Sequence, residues 1–515
     1  MSILVHTHDG ACIALEPRAG ETLARVIFLS RLWQGVPLCS GLGKCGLCRV
    51  RYRCDAPEPL AAEVRKLGRA RVEDGWRLAC LHPSGPCEVE LPEPVRTARA
   101  VRELERVSGD FSLAVDLGTT SLHWSVLAGG RRAAMGQELN PQIGLGSEVM
   151  SRLAVAATAE GRFVLRALIT DRLTELVRTA SEAMGGECAG LAVSGNPAMI
   201  YILLGRKPDD LAAAPYELSY RAGEEKKLGA GLPPAYLAPL LAPFVGGDLS
   251  AGLVAVEYGG EPVYPFLLAD LGTNGEFILA LSPEERLCAS VPMGPALEGM
   301  GLSSGRTAGP GAITRFRLTP KGLEYDLFGG GPGEPAGMTG TAYLSLAAIL
   351  LRHGVLDPAG RFGRGATPLA GKLADRLTAV EGEPALALPG GLYLPASDVE
   401  EILKVKAAFN LAMTALLKAA GIGPSGLAAI HLAGALGEHV GLEDLETLGF
   451  LPPGFGSRTV RAGNTSLAGT ERLLTDPGAR DFAEGLSRSL TVLELAGDPA
   501  FGDGFVKRMQ FTYVD

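Results

Sequence analysis

At 515 residues the chain exceeds what one hydrophobic core organises, so two to four domains are expected. Its 47% apolar and 20% charged residues describe an ordinary globular protein, and a net charge of −9 without a basic patch argues against nucleic acid as a partner. No apolar run reaches the ~18 residues of a membrane span, and Met1-Ser2-Ile3-Leu4-Val5-His6 enters a strand pattern without a signal-peptide core, so a cytoplasmic location with no membrane partner is expected.

Ile3 to His8 and Ala11 to Leu15 read as strands joined at Asp9-Gly10, a hairpin signal, and Glu21 to Trp33 has apolar residues at helical spacing. Cysteines are concentrated here, seven of nine within the first 87 residues. Four of them, Cys39, Cys45, Cys48 and Cys80, follow C-x5-C-x2-C with a distant fourth. Four thiolates are what a [2Fe–2S] cluster needs, and Gly41, Gly43 and Gly46 suit a loop that aims backbone N–H groups at its sulfurs. Zinc is the alternative, but its sites pair two C-x2-C knuckles and only one occurs here. Cys12, Cys54 and Cys87 fall outside the pattern. The glycine-laced run resembles ferredoxins of the C-x5-C-x2-C type, whose fold is a β-grasp. Glu88 to Leu91 is the last strand expected before Pro92 and Pro94 close the module. Val95 to Asp110, charged with both signs, reads as a tether or a short solvated helix.

Residues 111 to 126 then read as strand, turn, strand around Asp116-Leu-Gly118-Thr119-Thr120. A helix is expected over Val164 to Met184, a strand over Gly190 to Ser194 ending in Gly195-Asn196-Pro197, and a helix-like run from Ala198 to Leu204. This alternation indicates α/β layers. The strand-turn-strand pattern returns 154 residues after the first copy in Phe266 to Ala280, around Asp270-Leu-Gly272-Thr273-Asn274-Gly275-Glu276. Ser290 to Gly311 and Gly329 to Gly340 read as long glycine-rich loops. Ser397-Asp-Val-Glu400 reads as a capping box opening a helix that runs to Gly421. Ala428 to Ala433 is a buried strand ending in a small-residue turn at Gly434.

An Asp-x-Gly-Thr-Thr turn, an Asp-x-Gly-Thr-Asn-Gly turn and an Ala-Gly-x-x-Gly turn, in this order, resemble the phosphate-1, phosphate-2 and adenosine motifs of the actin, sugar kinase and Hsp70 ATPase superfamily (ASKHA). That resemblance implies a two-lobed ATPase with duplicated ribonuclease-H-like cores. Two glycine hairpins place N–H groups around a triphosphate from opposite sides, and Asp116 and Asp270 hold Mg²⁺ directly or through water. Gly434 leaves room for an adenine ring. Asp248, in Val245-Gly-Gly-Asp248-Leu-Ser-Ala251-Gly252, matches the segment that supplies the base in kinases of that superfamily. It either orients the attacking water or begins a helix, and the two roles are compatible.

Taken together, the chain is expected to be multidomain α+β and α/β. The division is a ferredoxin-type β-grasp over 1–94, a linker over 95–110, a middle domain over 111–205 and a C-terminal ASKHA domain over 206–515. Over its whole length it resembles the reductive activators of corrinoid proteins, on its C-S-G-L-G-K-C-G-L-C, D-L-G-T-N-G-E and C-A-S-V-P-M-G-P-A-L-E-G-M segments. That resemblance implies ATP-dependent reduction of Co(II) corrinoid to Co(I) in anaerobic methyl transfer. Cys39, Cys45, Cys48 and Cys80 would hold the cluster. Asp116, Gly118, Thr119 and Thr120 would surround ATP with Asp270, Gly272, Thr273, Asn274, Gly275, Glu276 and Gly434. Catalytic roles fall to Asp116, Asp248 and Asp270, and the partners implied are a corrinoid protein, an upstream low-potential donor and a second copy of the chain. The competing readings are an activator of the 2-hydroxyacyl-CoA dehydratase type, a small-molecule kinase, and a redox-sensing ATP-binding scaffold.

Overall fold

The computed structural model describes residues 2–95, 100–103, 107–146, 148–272, 274–298, 301–331, 333–495 and 501–515. The N-terminal module is a five-stranded sheet in the order Cys12–Leu15, Ile3–His6, Cys87–Glu90, Arg49–Tyr52, Trp76–Leu78. Ile3 and Val5 alternate inward with period two, and the helix Leu23–Leu29 lies across them, capped by the Thr22 hydroxyl. That helix is shorter than the sequence pattern predicts. Leu32 and Trp33 instead extend the apolar surface in a turn.

Two larger sheets repeat one plan. In the first, the antiparallel meander Phe111–Leu117, Ser121–Ala128, Arg131–Leu139 is followed by Cys188–Gly195 and Ala235–Leu237, parallel to Phe111–Leu117 and to each other. In the second, the meander Phe266–Leu271, Asn274–Ala280, Arg286–Pro292 is followed by the parallel strands Ala429–Ala433 and Thr459–Gly463. Asp116 and Asp270 therefore sit at equivalent places, near the end of the first strand of each sheet. In register with them, Ser194 and Ala433 precede equivalent glycines, Gly195 and Gly434. The two sheets are two copies of one core, the duplication that the repeated turns imply.

Several local expectations are replaced. Ala100–Glu103 forms an edge strand on Arg131–Leu139, not a solvated helix; the rest of 96–106 lies outside the described residues. Strands at 224–226 and 235–237 carry the first sheet past the division placed at residue 205. The long helix begins at Ala396 behind Pro395, with no side-chain cap. Ser397 turns instead to Glu383, while Glu400 pairs with Lys404. Gly421 does end that helix in the left-handed region, at φ +67.

Two helices tie the lobes together. Gly247–Glu257 leaves the first lobe and packs on the second sheet, while Thr465–Thr475 leaves the second and packs on the first. They cross through small residues. A Cβ on Gly469 would stand 1.7 Å from the Ala251 carbonyl oxygen, and one on Gly252 would stand 3.0 Å from the Thr465 hydroxyl. Gly469→Ala is therefore expected to force the helices apart and cost about 2 kcal/mol despite alanine's better helix propensity. A lowered thermal midpoint checks this. The apolar core of the first lobe runs without a break into the N-terminal module, through Phe28, Ile143 and Leu145. Among the described residues no helix is long and apolar enough to cross a membrane.

Candidate functional site

The four cysteines of the pattern come together. Cys39, Cys45, Cys48 and Cys80 line one cavity of about 310 Å³. They are arranged as two pairs: the Cys45 thiol hydrogen-bonds Cys39, and Cys48 hydrogen-bonds Cys80. Among the described residues no three His, Cys, Asp or Glu side chains converge on one metal ion. Four thiols on one cavity form a donor set of the kind an iron–sulfur cluster takes.

The loop does what its glycines imply. Gly41, Gly43 and Gly46 lie at φ +101, +66 and +71, and even Ser40 is driven to φ +50. In that shape the N–H groups of Leu42, Lys44 and Cys45 point at the Cys39 sulfur and that of Gly43 at Cys80. The Cys45 thiol and these amides outweigh burial and pull Cys39 down to about 5, so one thiol of its pair is held ready as thiolate. The chain around Cys80 is held by Glu63, fully buried, which accepts from the Leu78 amide at 2.6 Å and faces His82 at 2.9 Å, either side of that cysteine.

The second cluster of chemistry lies where the two hairpins face each other. Asp116 is fixed from the opposite end of the chain: Asn464 Nδ2 donates to one oxygen at 2.7 Å and Ser466 Oγ to the other at 2.8 Å. Ser466 is held in turn by Ser194 and Thr470. Asn464 also caps the helix Thr465–Thr475. Asn464→Ala is expected to cost about 1 kcal/mol from the lost cap and to leave Asp116 with one partner, weakening ligand binding at this turn as read by calorimetry.

Around Asp116 stand Asp248, Asp270 and Glu276. Burial first, then the charges of Asp270 and Asp116, push Asp248 up to about 8. Burial, then Asp116 and Glu298, push Asp270 up to about 7. Glu276 is raised well above the ordinary range by burial, Asp248 and Asp270, and its Oε1 has no hydrogen-bond partner. The charges acting on these three groups are all carboxylates, so the cleft takes up protons or a cation. A cation there would take its oxygens from these carboxylates, from phosphate and from water. Asp248 sits in the first turn of Gly247–Glu257, so it also starts a helix.

The turns themselves are well held. The Gly118 carbonyl accepts from Asn140 at 2.7 Å, Thr119 Oγ1 accepts from Asn196 at 2.9 Å, and Thr120 Oγ1 donates to Glu298 at 2.5 Å. In the second hairpin the Gly272 N–H meets the Asn274 carbonyl at 3.2 Å, and Gly275 lies against Met293. Thr273 lies outside the described residues. Gly434, at φ +81, adjoins the second turn: a Cβ there would come within 2.8 Å of the Asp270 carboxylate. Sequence reasoning did not single out Asn464, Ser466, Ser194, Asn196, Arg152 or Glu298. Asn464-Thr-Ser before an apolar run is an N-cap signal, and Ser194-Gly195-Asn196 is the first lobe's counterpart of the Ala433-Gly434 turn.

Comparison with known proteins places this architecture. The profile of the RACo C-terminal domain, an ASKHA domain, matches residues 265–515, and that of the RACo middle region matches 111–259. Corrinoid activation enzyme RamQ of Eubacterium limosum is 27% identical over 422 residues, 78% of this chain and 70% of that one. The [Co(II) methylated amine-specific corrinoid protein] reductase of Methanosarcina barkeri is 26% identical over 442 residues, 78% and 77% of the two chains. A solved reductive activator for a corrinoid iron–sulfur protein superposes with a TM-score of 0.68 at 21% identity, over 100% of this chain and 99% of that one. The chain belongs to the RACo family, the reductive activators of corrinoid proteins.

Proposed function

We propose that this protein uses ATP to return the inactive Co(II) corrinoid of a partner protein to Co(I), one electron at a time. Cys39, Cys45, Cys48 and Cys80 would hold a [2Fe–2S] cluster, and Mg·ATP would bind between the lobes on the Asp116 and Asp270 turns. The observation that carries the reading is the presence, in one continuous fold, of two thiol pairs and a carboxylate-lined cleft between duplicated hairpins. A bound cluster supplies a low-potential electron, near about −400 mV for plant-type centres. Cobalt in the Co(II) state is harder to reduce while its lower ligand is attached. A gap of ~240 mV is an adverse factor of about 10⁴, since a one-electron step changes tenfold per ~59 mV.

The chain's own groups divide the work. The amides around Cys39 stabilise its thiolate and would tune the potential of a cluster bound there. Asp116, locked by Asn464 and Ser466, gives the cation a fixed carboxylate. Asp248, at the helix start opposite, orients the attacking water, and its raised pKa suits a group that moves a proton near neutrality. Nucleotide-driven closure of the lobes would govern docking of the corrinoid protein and trap the electron after transfer. A low-potential one-electron carrier would recharge the cluster, and a homodimer is the expected assembly.

The test is reduction of a Co(II) corrinoid protein, followed by its Co(I) absorbance, with and without Mg·ATP. Equal rates and yields would sink the proposal. Nucleotide binding with no electron transfer would instead favour a redox-sensing scaffold.

A further inference from the structure

Arg152 belongs to neither cluster and bonds a backbone carbonyl beside each. It lies on the helix Val149–Ala156 and is fully buried. Its hydrogen-bond partners are carbonyls, an amide oxygen and the Met199 sulfur, which accepts from Nη1 at 3.3 Å; none of these is a carboxylate. Nε and Nη2 donate to the Gly146 carbonyl at 3.1 and 2.5 Å, and Nη1 donates to the Thr119 carbonyl at 2.8 Å and to Gln142 Oε1 at 3.2 Å. Burial pulls its pKa down to about 9, so it remains a cation at neutral pH. The Glu148 carboxylate acts on it through space only, and a buried cation whose direct partners are all neutral is costly and persists where surrounding structure fixes it.

The two carbonyls it joins have different surroundings. Thr119 is part of the first hairpin turn. Gly146 lines the cysteine cavity together with Gly144, Leu145 and Ser151. The loop between them is packed at both ends. On the turn side, Asn140 holds the Gly118 and Thr120 carbonyls. On the cavity side, Ser40 Oγ, next to Cys39, donates to the Ile143 carbonyl at 2.5 Å, and Gly144 lies so close to the Phe28 ring that a Cβ would meet it at 2.4 Å. Gly146 is at φ +157 with Arg152 backbone against it, so the loop has little room to yield.

We infer that Arg152 is the positioning residue through which a nucleotide on the Thr119 turn and the redox state of the cysteine cavity act on each other, its planar fork tying the Thr119 and Gly146 carbonyls into one unit. The inference rests on the function proposed above. When phosphate draws the N–H groups of the turn, the peptide planes rotate and the Thr119 carbonyl moves with them. The guanidinium follows, and the 143–146 strap moves against Ser40. Linkage makes the effect reciprocal: cluster reduction must change nucleotide affinity by the factor by which nucleotide changes cluster reduction.

Two measurements on the full-length, cluster-loaded protein test this. First, hydrogen exchange is followed with and without Mg²⁺ and AMP-PNP, a non-hydrolysable ATP analogue. Slowed exchange is expected both at 118–121 and at 143–152. Slowing at 118–121 alone overturns the inference and leaves the nucleotide site standing; no change at either overturns both. Second, the AMP-PNP Kd is measured by calorimetry on oxidised and dithionite-reduced protein. In the wild type the two values are expected to differ by about fivefold or more. Arg152→Lys keeps the charge but lacks the fork, so the ratio should fall to one with iron content retained. A ratio that survives the lysine overturns the inference. If the lysine variant does not fold, the exchange measurement on the wild type decides.

Discussion

Replacing Cys45 by alanine is expected to abolish corrinoid reduction while leaving nucleotide binding intact. Cys45 is the thiol that hydrogen-bonds Cys39 and so shares one half of the four-thiol set. Under the proposed function, removing it leaves three thiols for a cluster that requires four. Loss of a mere supporting partner of a metal ligand costs 10–100-fold, so reduction should fall by more than about a hundredfold. The fold should tolerate the change. The core of the module rests on Ile3, Val5, Ile27, Val50 and Val89, and Cys45 is only partly buried at its edge. Iron content and the electron paramagnetic resonance of the reduced protein should fall together, with ATP affinity by calorimetry unchanged. Retained reduction would show that the electron does not pass through this cavity.

The second large effect concerns pH. Asp270 titrates at about 7 and Asp248 at about 8 in the native protein, against 3.8 for an ordinary aspartate. Between about pH 4 and these values the native state binds more protons than the unfolded chain. Ligand-free stability is therefore greatest at the acid end of this window and is lost as pH rises through 7 to 8. A divalent cation reverses the sign, because it needs the carboxylates ionised and displaces their protons. Mg·ATP should bind more tightly at pH 8 than at pH 6, with protons released. Asp270→Asn removes one titrating group and relieves Asp248, so both slopes should flatten. It should also weaken Mg·ATP about tenfold or more, roughly 1.4 kcal/mol. Thermal midpoints against pH, with calorimetry in buffers of different ionisation enthalpy, give both readings. A ligand-free midpoint that climbs between pH 6 and 8 would contradict this account.

What could be read from the sequence was whatever chemistry writes locally. The cysteine spacing and its glycines are local, and the loop adopts the positive φ values those glycines imply. The two Asp-Leu-Gly-Thr turns are local too, and their repetition pointed to duplicated cores that the paired meanders display. The capping box failed because Ser397 found a better partner in Glu383, brought near by a three-stranded sheet that local patterning does not reveal. Asn464 and Ser466 were invisible as site residues because only the crossing of two helices brings them to Asp116. Arg152 had no signal at all: an arginine in an apolar helix reads as a solvated side chain until its carbonyl acceptors are known.

That crossing also sets an order of events in synthesis. Asp116 waits for partners 348 and 350 residues further along the chain. At 5–20 residues per second a ribosome needs roughly 20–70 s to supply them. The cysteine module is complete long before then and can mature early. The first lobe instead emerges with an apolar sheet face that Thr465–Thr475 has yet to help cover. A nascent or truncated chain ending before residue 465 therefore has its cysteines but no finished nucleotide cleft, and exposes the surface that chaperones recognise.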